Sequence, residues 1–352
     1  MIGVLVDGGF GTRLRPLTFT DTKSLLPIAG TPNVHRILET YKASGIKKVI
    51  ININVGYQER FNSELAGKNI GMELDYELEE ALSETRKPGT TRSTYELFKR
   101  CNFSEPVVLI AGDNYFSKNV DLRALERFTQ ETDSVASIVG STMEKKELSS
   151  LGVISLRKGS HLIEKLEEKP KEPKSNIAAT GVLFYTPKIV EYLGIYVEEE
   201  LEAGKKPDRI GDFHAWLVNK GKNVGCYMHD FNFVDFGKPE EYLKVNHIAF
   251  DQELGGQTRI DESVKRHANA HFIPPVIVER GCAIGKDAII GPKTHLMENV
   301  TVCKDAKVSG SVIFEDSIIS GDCYVSDSVL AAESKTREGT SYRKIFGSVK
   351  IF

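Results

Sequence analysis

Residues 8–23 carry the first arrangement in this sequence able to do chemistry. Residues 8–18 read Gly-Gly-Phe-Gly-Thr-Arg-Leu-Arg-Pro-Leu-Thr, and Lys23 follows in Asp21-Thr22-Lys23-Ser24-Leu25-Leu26-Pro27. Gly8, Gly9 and Gly11 lack a Cβ, so their backbone can approach a phosphate closely and aim N–H groups at it. Arg13, beside Thr12, offers a planar fork for phosphate oxygens. Lys23 adds a compact positive charge. The glycines alone mean no more than a tight turn. With the run through Pro16 and a lysine ten residues after Arg13, they read as a phosphate-handling loop. No Gly-Lys-Ser/Thr closes the run, so it is not a Walker loop, and its spacing excludes the dinucleotide fingerprint.

Such a loop needs a rigid element behind it. Residues 2–6 (Ile-Gly-Val-Leu-Val) form a short apolar run that predicts a strand feeding the loop. Val34, Ile37, Leu38 and Tyr41 recur at helical spacing, with Gly45 as a stop. Val49–Ile51 reads as a second buried strand, Val107–Ala111 as a strand ending at Gly112-Asp113, Leu122–Phe128 as a helix and Val135–Val139 as a strand. This alternation predicts an α/β fold, a largely parallel sheet covered by helices on both faces. Ligands in such sheets bind beyond the carboxyl ends of the strands, here after residue 6 and after residue 111.

The last third changes character. Val278, Ile284, Ile290, Leu296, Val302, Val308 and Phe314 recur every sixth residue. Two places before each stands a smaller side chain: Val276, Cys282, Ala288, Thr294, Val300, Ala306 and Val312. The period slips by one residue and resumes at Ile319 and Val325. Six-residue periodicity predicts a left-handed parallel β-helix with the large residue inside, about three coils by this count. Cys282 and Cys323 fall at small positions and are expected to be buried. His295, beside inward Leu296, is expected to face solvent. The boundary is placed near residue 250, giving domains 1–250 and 251–352, with residues 251–275 leading into the helix. The tail after Ser334 is charged and then apolar, and its sequence does not place it.

Lys plus Arg number 46 and Asp plus Glu 49, a net charge of −3, without the basic surplus of a nucleic-acid binder. Five cysteines, none in a Cys-x-x-Cys pair, argue for reduced thiols and a cytoplasmic protein. The apolar N-terminal run is too short for a signal peptide, and no stretch approaches the ~20 apolar residues of a membrane span.

The stretch from Gly8 to Lys23 resembles the signature of the sugar-phosphate nucleotidyltransferases, which include glucose-1-phosphate thymidylyl- and uridylyltransferases and mannose-1-phosphate guanylyltransferases. The resemblance covers most of the first 250 residues. It implies a modified Rossmann-like domain, often followed by a left-handed β-helix, in agreement with the repeat. Ile110-Ala111-Gly112-Asp113-Asn114 resembles the family's strand ending in Gly-Asp, which implies Asp113 as a Mg²⁺ ligand; hard carboxylate oxygens suit that cation. Phe233 to Tyr242 resembles the second metal segment, with Asp235 as ligand. Glu167-Glu168-Lys169-Pro170 resembles the Glu-Lys-Pro motif, in which Glu168 accepts from sugar hydroxyls and Lys169 meets the sugar phosphate. Gly152-Val153 and Thr180-Gly181-Val182 resemble sugar-pocket segments. Gly211–Phe213 and Trp216-Leu217 resemble a helix of thymidylyl- and uridylyl-transferring members, Trp216 being read as core.

Three departures stand out. Asp7 replaces a small residue, Thr22 replaces a proline, and the Gly-Thr-Ala-Gly stretch appears as Pro88-Gly89-Thr90-Thr91-Arg92-Ser93 after an insertion around 81–87. Nucleotide contacts are therefore expected from Gly8, Gly9, Gly11, Thr12, Arg13, Lys23, Glu79, Gly89 and Thr90, with Arg13 and Lys23 catalytic. The sugar phosphate is expected at Gly152, Glu168, Lys169 and Thr180. The expected reaction is Mg²⁺-assisted in-line attack of a hexose 1-phosphate on the α-phosphate of a nucleoside triphosphate. Glu79 and Glu80 stand near the base-reading position that the resemblance implies, and a carboxylate there suits the N–H edge of guanine, whereas the Trp216 segment and Gly112-Asp113-Asn114 favour thymine or uracil by resemblance; the second set is weighted more, with glucose 1-phosphate as partner. Mannose-1-phosphate guanylyl transfer and a non-catalytic regulatory or scaffold paralogue are the alternatives. Acyl transfer by the helix has little support, and the helix suits homo-oligomerisation or regulation.

Overall fold

The computed structural model describes residues 1–80 and 88–349; the insertion at 81–87 lies outside the described residues. Two compact units emerge, one of residues 1–10 and 34–233, the other of residues 11–33 and 234–352.

The first unit is built on a nine-stranded sheet. Ile2–Asp7 lies between Lys48–Asn54 and Val107–Ala111, parallel to both, and Glu73–Glu79 extends the parallel part from Lys48–Asn54. On the other side Ile177–Tyr185 runs antiparallel to Val107–Ala111, and the strands Gly152–Leu156 and Ile163–Glu168 continue antiparallel from it. The sheet is thus parallel at its centre and mixed beyond it. Val4, Leu5, Val49, Ile51, Val108 and Ile110 are buried, as strands covered on both faces require. The first predicted helix forms as Asn33–Ala43 and buries Val34, Ile37, Leu38 and Tyr41. Gly3 leaves room for the Tyr41 ring, whose hydroxyl donates to the Val4 carbonyl at 2.7 Å. Leu122–Glu131 starts at an Asp121 cap, whose carboxylate accepts from the N–H of Arg123 and Ala124. Leu97, Phe98, Leu193, Phe213 and Leu217, from helices Thr90–Cys101, Ile189–Glu202 and Ile210–Asn219, join one apolar cluster with the sheet residues Leu109 and Leu183.

In the second unit the six-residue period becomes three parallel sheets of six, four and five short strands, the sides of a β-helix. Val278, Ile284, Ile290, Leu296, Val302 and Val308 fill its interior, with Cys282 and Cys323 among them; burial pushes the Cys282 thiol up to about 11. Three expectations are corrected. Residues 258–272 already form the first coil, since Thr258, Lys265 and His271 pair with strands one coil on. Residues beyond Ser334 add a further layer, with Ser341–Arg343 and Phe346–Gly347 pairing to the preceding coil, so the helix exceeds three coils. The period slips before residue 313, so Leu296 pairs with Ile313, which enters the core in place of Phe314.

His295 also departs from expectation. It is 0 % exposed and its Nε2 meets Glu279 Oε1 at 2.7 Å. Its face of the helix is covered: Ile277 approaches Gly30, and the Phe314 ring lies 6.4 Å from that of Tyr242 on helix Pro239–Glu253. That helix also holds residues 27–29, through Tyr242 hydroxyl to Pro27 carbonyl at 2.5 Å and Ala29 N–H to Asn246 Oδ1 at 2.9 Å.

Candidate active site

The glycine-rich loop, expected to handle phosphate, leaves the central strand at Asp7. Gly8 sits so close to the Glu79 carboxylate that a Cβ there would come within 2.7 Å of it, while the Cβ position of Gly9 faces open space. Glu79, at the carboxyl end of its strand, is thereby placed beside the loop. Asp7 is buried, with its carboxylate against Gly112: a Cβ on Gly112 would lie 2.8 Å from Asp7 Cγ. The carboxyl group at position 7 thus lies beside the Gly112-Asp113 turn.

Asp113 follows that turn. Its Oδ1 accepts from the Asn114 side-chain amide at 2.9 Å. The sequence motif carries Asn114 only as a pointer to the base, and an amide directly after a strand-end carboxylate is the available signal for this contact.

Two of the residues expected around the sugar, Gly152 and Glu168, meet as register partners through antiparallel pairing in the same unit. The absent side chains of Gly152 and Gly211 leave the slot that the Glu168 carboxylate fills. Burial, more than any neighbour, pushes its pKa up; Asp212 also raises it, and Lys169 and Arg209 oppose. Lys169 is exposed with φ of 51°, and its N–H donates to Leu151 carbonyl at 3.0 Å. Thr180 is buried, its hydroxyl accepting from Val182 N–H at 3.3 Å. Trp216 packs against the core cluster and donates to Glu199, as a structural residue does.

Gly89 and Thr90 begin helix Thr90–Cys101. Gly89 has φ of 102°, and a Cβ there would meet the Pro207 carbonyl at 2.7 Å. The N–H groups of Thr91 and Arg92 donate to the carbonyls of Asp208 and Pro207, both at 3.3 Å. Two backbone donors of the altered 88–92 segment are therefore engaged within the protein.

The second unit holds Gly11, Thr12, Arg13, Lys23 and Asp235. Gly11, with φ of 56°, opens a 3₁₀ turn over Thr12–Leu14. Its carbonyl accepts from Leu14 N–H at 2.7 Å and from the Thr18 hydroxyl at 2.8 Å, which closes the loop. Lys23 opens a second 3₁₀ turn, Lys23–Leu25. Gly237 brings two charged groups together. Its N–H donates to Asp235 Oδ1 at 3.1 Å, and a Cβ there would lie 2.9 Å from an Arg13 guanidinium nitrogen. The Arg13 guanidinium and the Asp235 carboxylate thus share one glycine cradle.

These donors fit Mg²⁺. No group of three or more His, Cys, Asp or Glu able to hold a metal occurs among the described residues. One or two carboxylates completed by substrate phosphates and water are what Mg²⁺ takes at phosphoryl sites. Among the described residues no helix is long and apolar enough to cross a membrane.

Comparison with known proteins bears on the family of the chain. The UTP–glucose-1-phosphate uridylyltransferase of Synechocystis is 24% identical, covering 90% of this chain and 84% of its own. The glucose-1-phosphate thymidylyltransferase of Streptomyces griseus is 26% identical, with 91% and 88% covered. Mannose-1-phosphate guanylyltransferase 1 of Arabidopsis thaliana is 25% identical, with 89% and 86% covered. A crystal structure of a putative glucose-1-phosphate thymidylyltransferase from Bacillus anthracis shares the fold, with a TM-score of 0.60 at 24% identity over 71% of this chain and 95% of that one. Residues 272–347 match the profile described as the GMPPB C-terminal domain. Residues 2–252 match the profile described as nucleotidyl transferase, and the chain belongs to that family.

Proposed function

We propose that this enzyme joins a nucleoside triphosphate to a hexose 1-phosphate, forming a nucleoside diphosphate sugar and releasing pyrophosphate. The cradle at Gly237, which holds Arg13 and Asp235 together, carries this reading. The attacking phosphate oxygen is already anionic, so catalysis rests on positioning and charge rather than a strong base. Arg13 grips the β- and γ-phosphates and steadies the leaving group. Lys23 holds the α-phosphate as charge develops on it. Lys169 places the attacking phosphate, with Gly152, Glu168 and Thr180 around the sugar. Glu79, Gly89 and Thr90 face the base, and Gly8, Gly9, Gly11 and Thr12 the phosphates. Asp113 and Asp235 are the residues to hold Mg²⁺, which when bound offsets charge at the α-phosphate.

The favoured pair is dTTP or UTP with glucose 1-phosphate, supported by relatives named for thymidylyl and uridylyl transfer. One observation favours GTP with mannose 1-phosphate as the second reading. The Glu79 carboxylate lies beside the phosphate loop, where it can accept two N–H donors of guanine but would repel the carbonyls of thymine. The helical C-terminal part is assigned to homo-oligomerisation, and the protein to the cytoplasm.

Pyrophosphate release with Mg²⁺, measured for dTTP, UTP, GTP, CTP and ATP against glucose, mannose and N-acetylglucosamine 1-phosphates, identifies the pair. Release must need both substrates. No release from any pair would favour the non-catalytic paralogue. Lys23→Ala should lower kcat about 100-fold with unchanged melting temperature. Full activity in that variant would remove Lys23 from the mechanism.

A further inference from the structure

Asn114 is 4 % exposed, and its amide is used at both ends. Its Oδ1 accepts the Gly181 N–H at 2.8 Å, and its Nδ2 donates to Asp113 Oδ1 at 2.9 Å. An amide has one accepting and one donating end, so a backbone N–H on one side and a carboxylate on the other fix its orientation. The strand Ile177–Tyr185 makes this possible. Its ladder to Ala136–Thr142 shifts register between Ala179 and Leu183, and Gly181 N–H turns to Asn114. Only glycine fits there: a Cβ on residue 181 would lie 2.5 Å from Asn114 Oδ1 and 2.8 Å from Ala111 Cβ. The neighbouring Thr180 is the sugar-pocket residue of that strand.

We propose that Asn114 is a positioning residue that sets the Asp113 carboxylate for its cation and ties it to the Thr180-Gly181 segment of the strand Ile177–Tyr185. The inference rests on Asp113 being a metal ligand. A ligand carboxylate held by a buried partner gives up less rotamer freedom when it binds a cation. Because the far end of the amide is fixed by the strand Ile177–Tyr185, a displacement of that strand segment reaches Asp113 through the Asn114 side chain.

The test is Mn²⁺ binding to the full chain, followed by electron paramagnetic resonance without substrates, with folding checked by circular dichroism. Asn114→Ala and Gly181→Ala should each raise the Mn²⁺ dissociation constant about tenfold. The double variant should bind no more weakly than the weaker single one, because both changes cut the same link. A merely structural role would give independent, additive losses. Additive losses, or a folded single variant with wild-type Mn²⁺ affinity, overturn the proposal. If one single variant does not fold, the other carries the test. Asp113→Ala separates the two levels. Mn²⁺ binding that survives it refutes Asp113 as ligand and the inference with it. Binding lost in Asp113→Ala yet intact in folded Asn114→Ala refutes the inference alone.

Discussion

At the scale of single residues, Glu168 is the group whose surroundings make a pH prediction. Burial raises its pKa above the ordinary carboxylate range. The native state therefore holds that proton more tightly than the unfolded chain. Stability from this group is present below the unfolded pKa and is lost as pH rises through the folded pKa. Glu168→Gln should accordingly raise the melting temperature at pH 8 but not at pH 4. Function runs the other way. If the ionised carboxylate accepts from sugar hydroxyls, KM for the hexose 1-phosphate should climb as pH falls into the raised window, while KM for the nucleotide stays level. Initial rates between pH 4.5 and 8 decide this (the range is about that over which a raised carboxylate titrates). A flat KM for the sugar phosphate would remove Glu168 from its recognition.

At the scale of elements, the start of helix Thr90–Cys101 is the departure from the family pattern with the clearest physical consequence. Thr91 and Arg92 donate to Asp208 and Pro207, a contact between segments more than a hundred residues apart in sequence. Gly89→Ala would place a Cβ against the Pro207 carbonyl at a φ of 102°, which side chains rarely adopt. A loss of about 1–3 kcal/mol in urea unfolding is expected. No loss would mean that residues 205–208 yield freely. The resemblance implied nucleotide contacts in this segment, whose backbone carries N–H groups. That two of them are engaged was not legible, because their acceptors are carbonyls, and every residue type carries one.

At the scale of the whole molecule, the hexad repeat and the part of the glycine-rich loop from Gly11 onward belong to one compact unit. Residues 11–33 cluster with 234–352, and Gly30, Tyr242 and Asn246 show how: the loop's return leg rests on helix Pro239–Glu253 and on Ile277. Leu296→Ala, in the helix interior, should cost about 2–5 kcal/mol. It should also speed hydrogen exchange of Leu14 and Leu26, whose amides bond within the loop. Exchange in the loop that ignores this core change would show that the loop is stabilised independently.

The sequence by itself determined the α/β alternation, the phosphate loop, the repeat and its buried cysteines. Each is written in local periodicity or spacing, which backbone geometry converts directly into strands, turns and coils. The resemblance, rather than any local pattern, put Arg13 and Asp235 into one expected site, and both side chains lie beside Gly237. Only tertiary structure decided what covers an outward face or fills a gap. His295 alternates with Leu296 and so leaves the helix interior, yet it is buried, because outside the coil means solvent only where nothing else packs. Phe314 fits the six-residue count, yet Ile313 takes the core, because strand pairing rather than the count sets register. Asn114 looks like any turn residue until the register shift in Ile177–Tyr185 brings Gly181 to it. Contacts of this kind depend on three-dimensional proximity, which no one-dimensional period encodes.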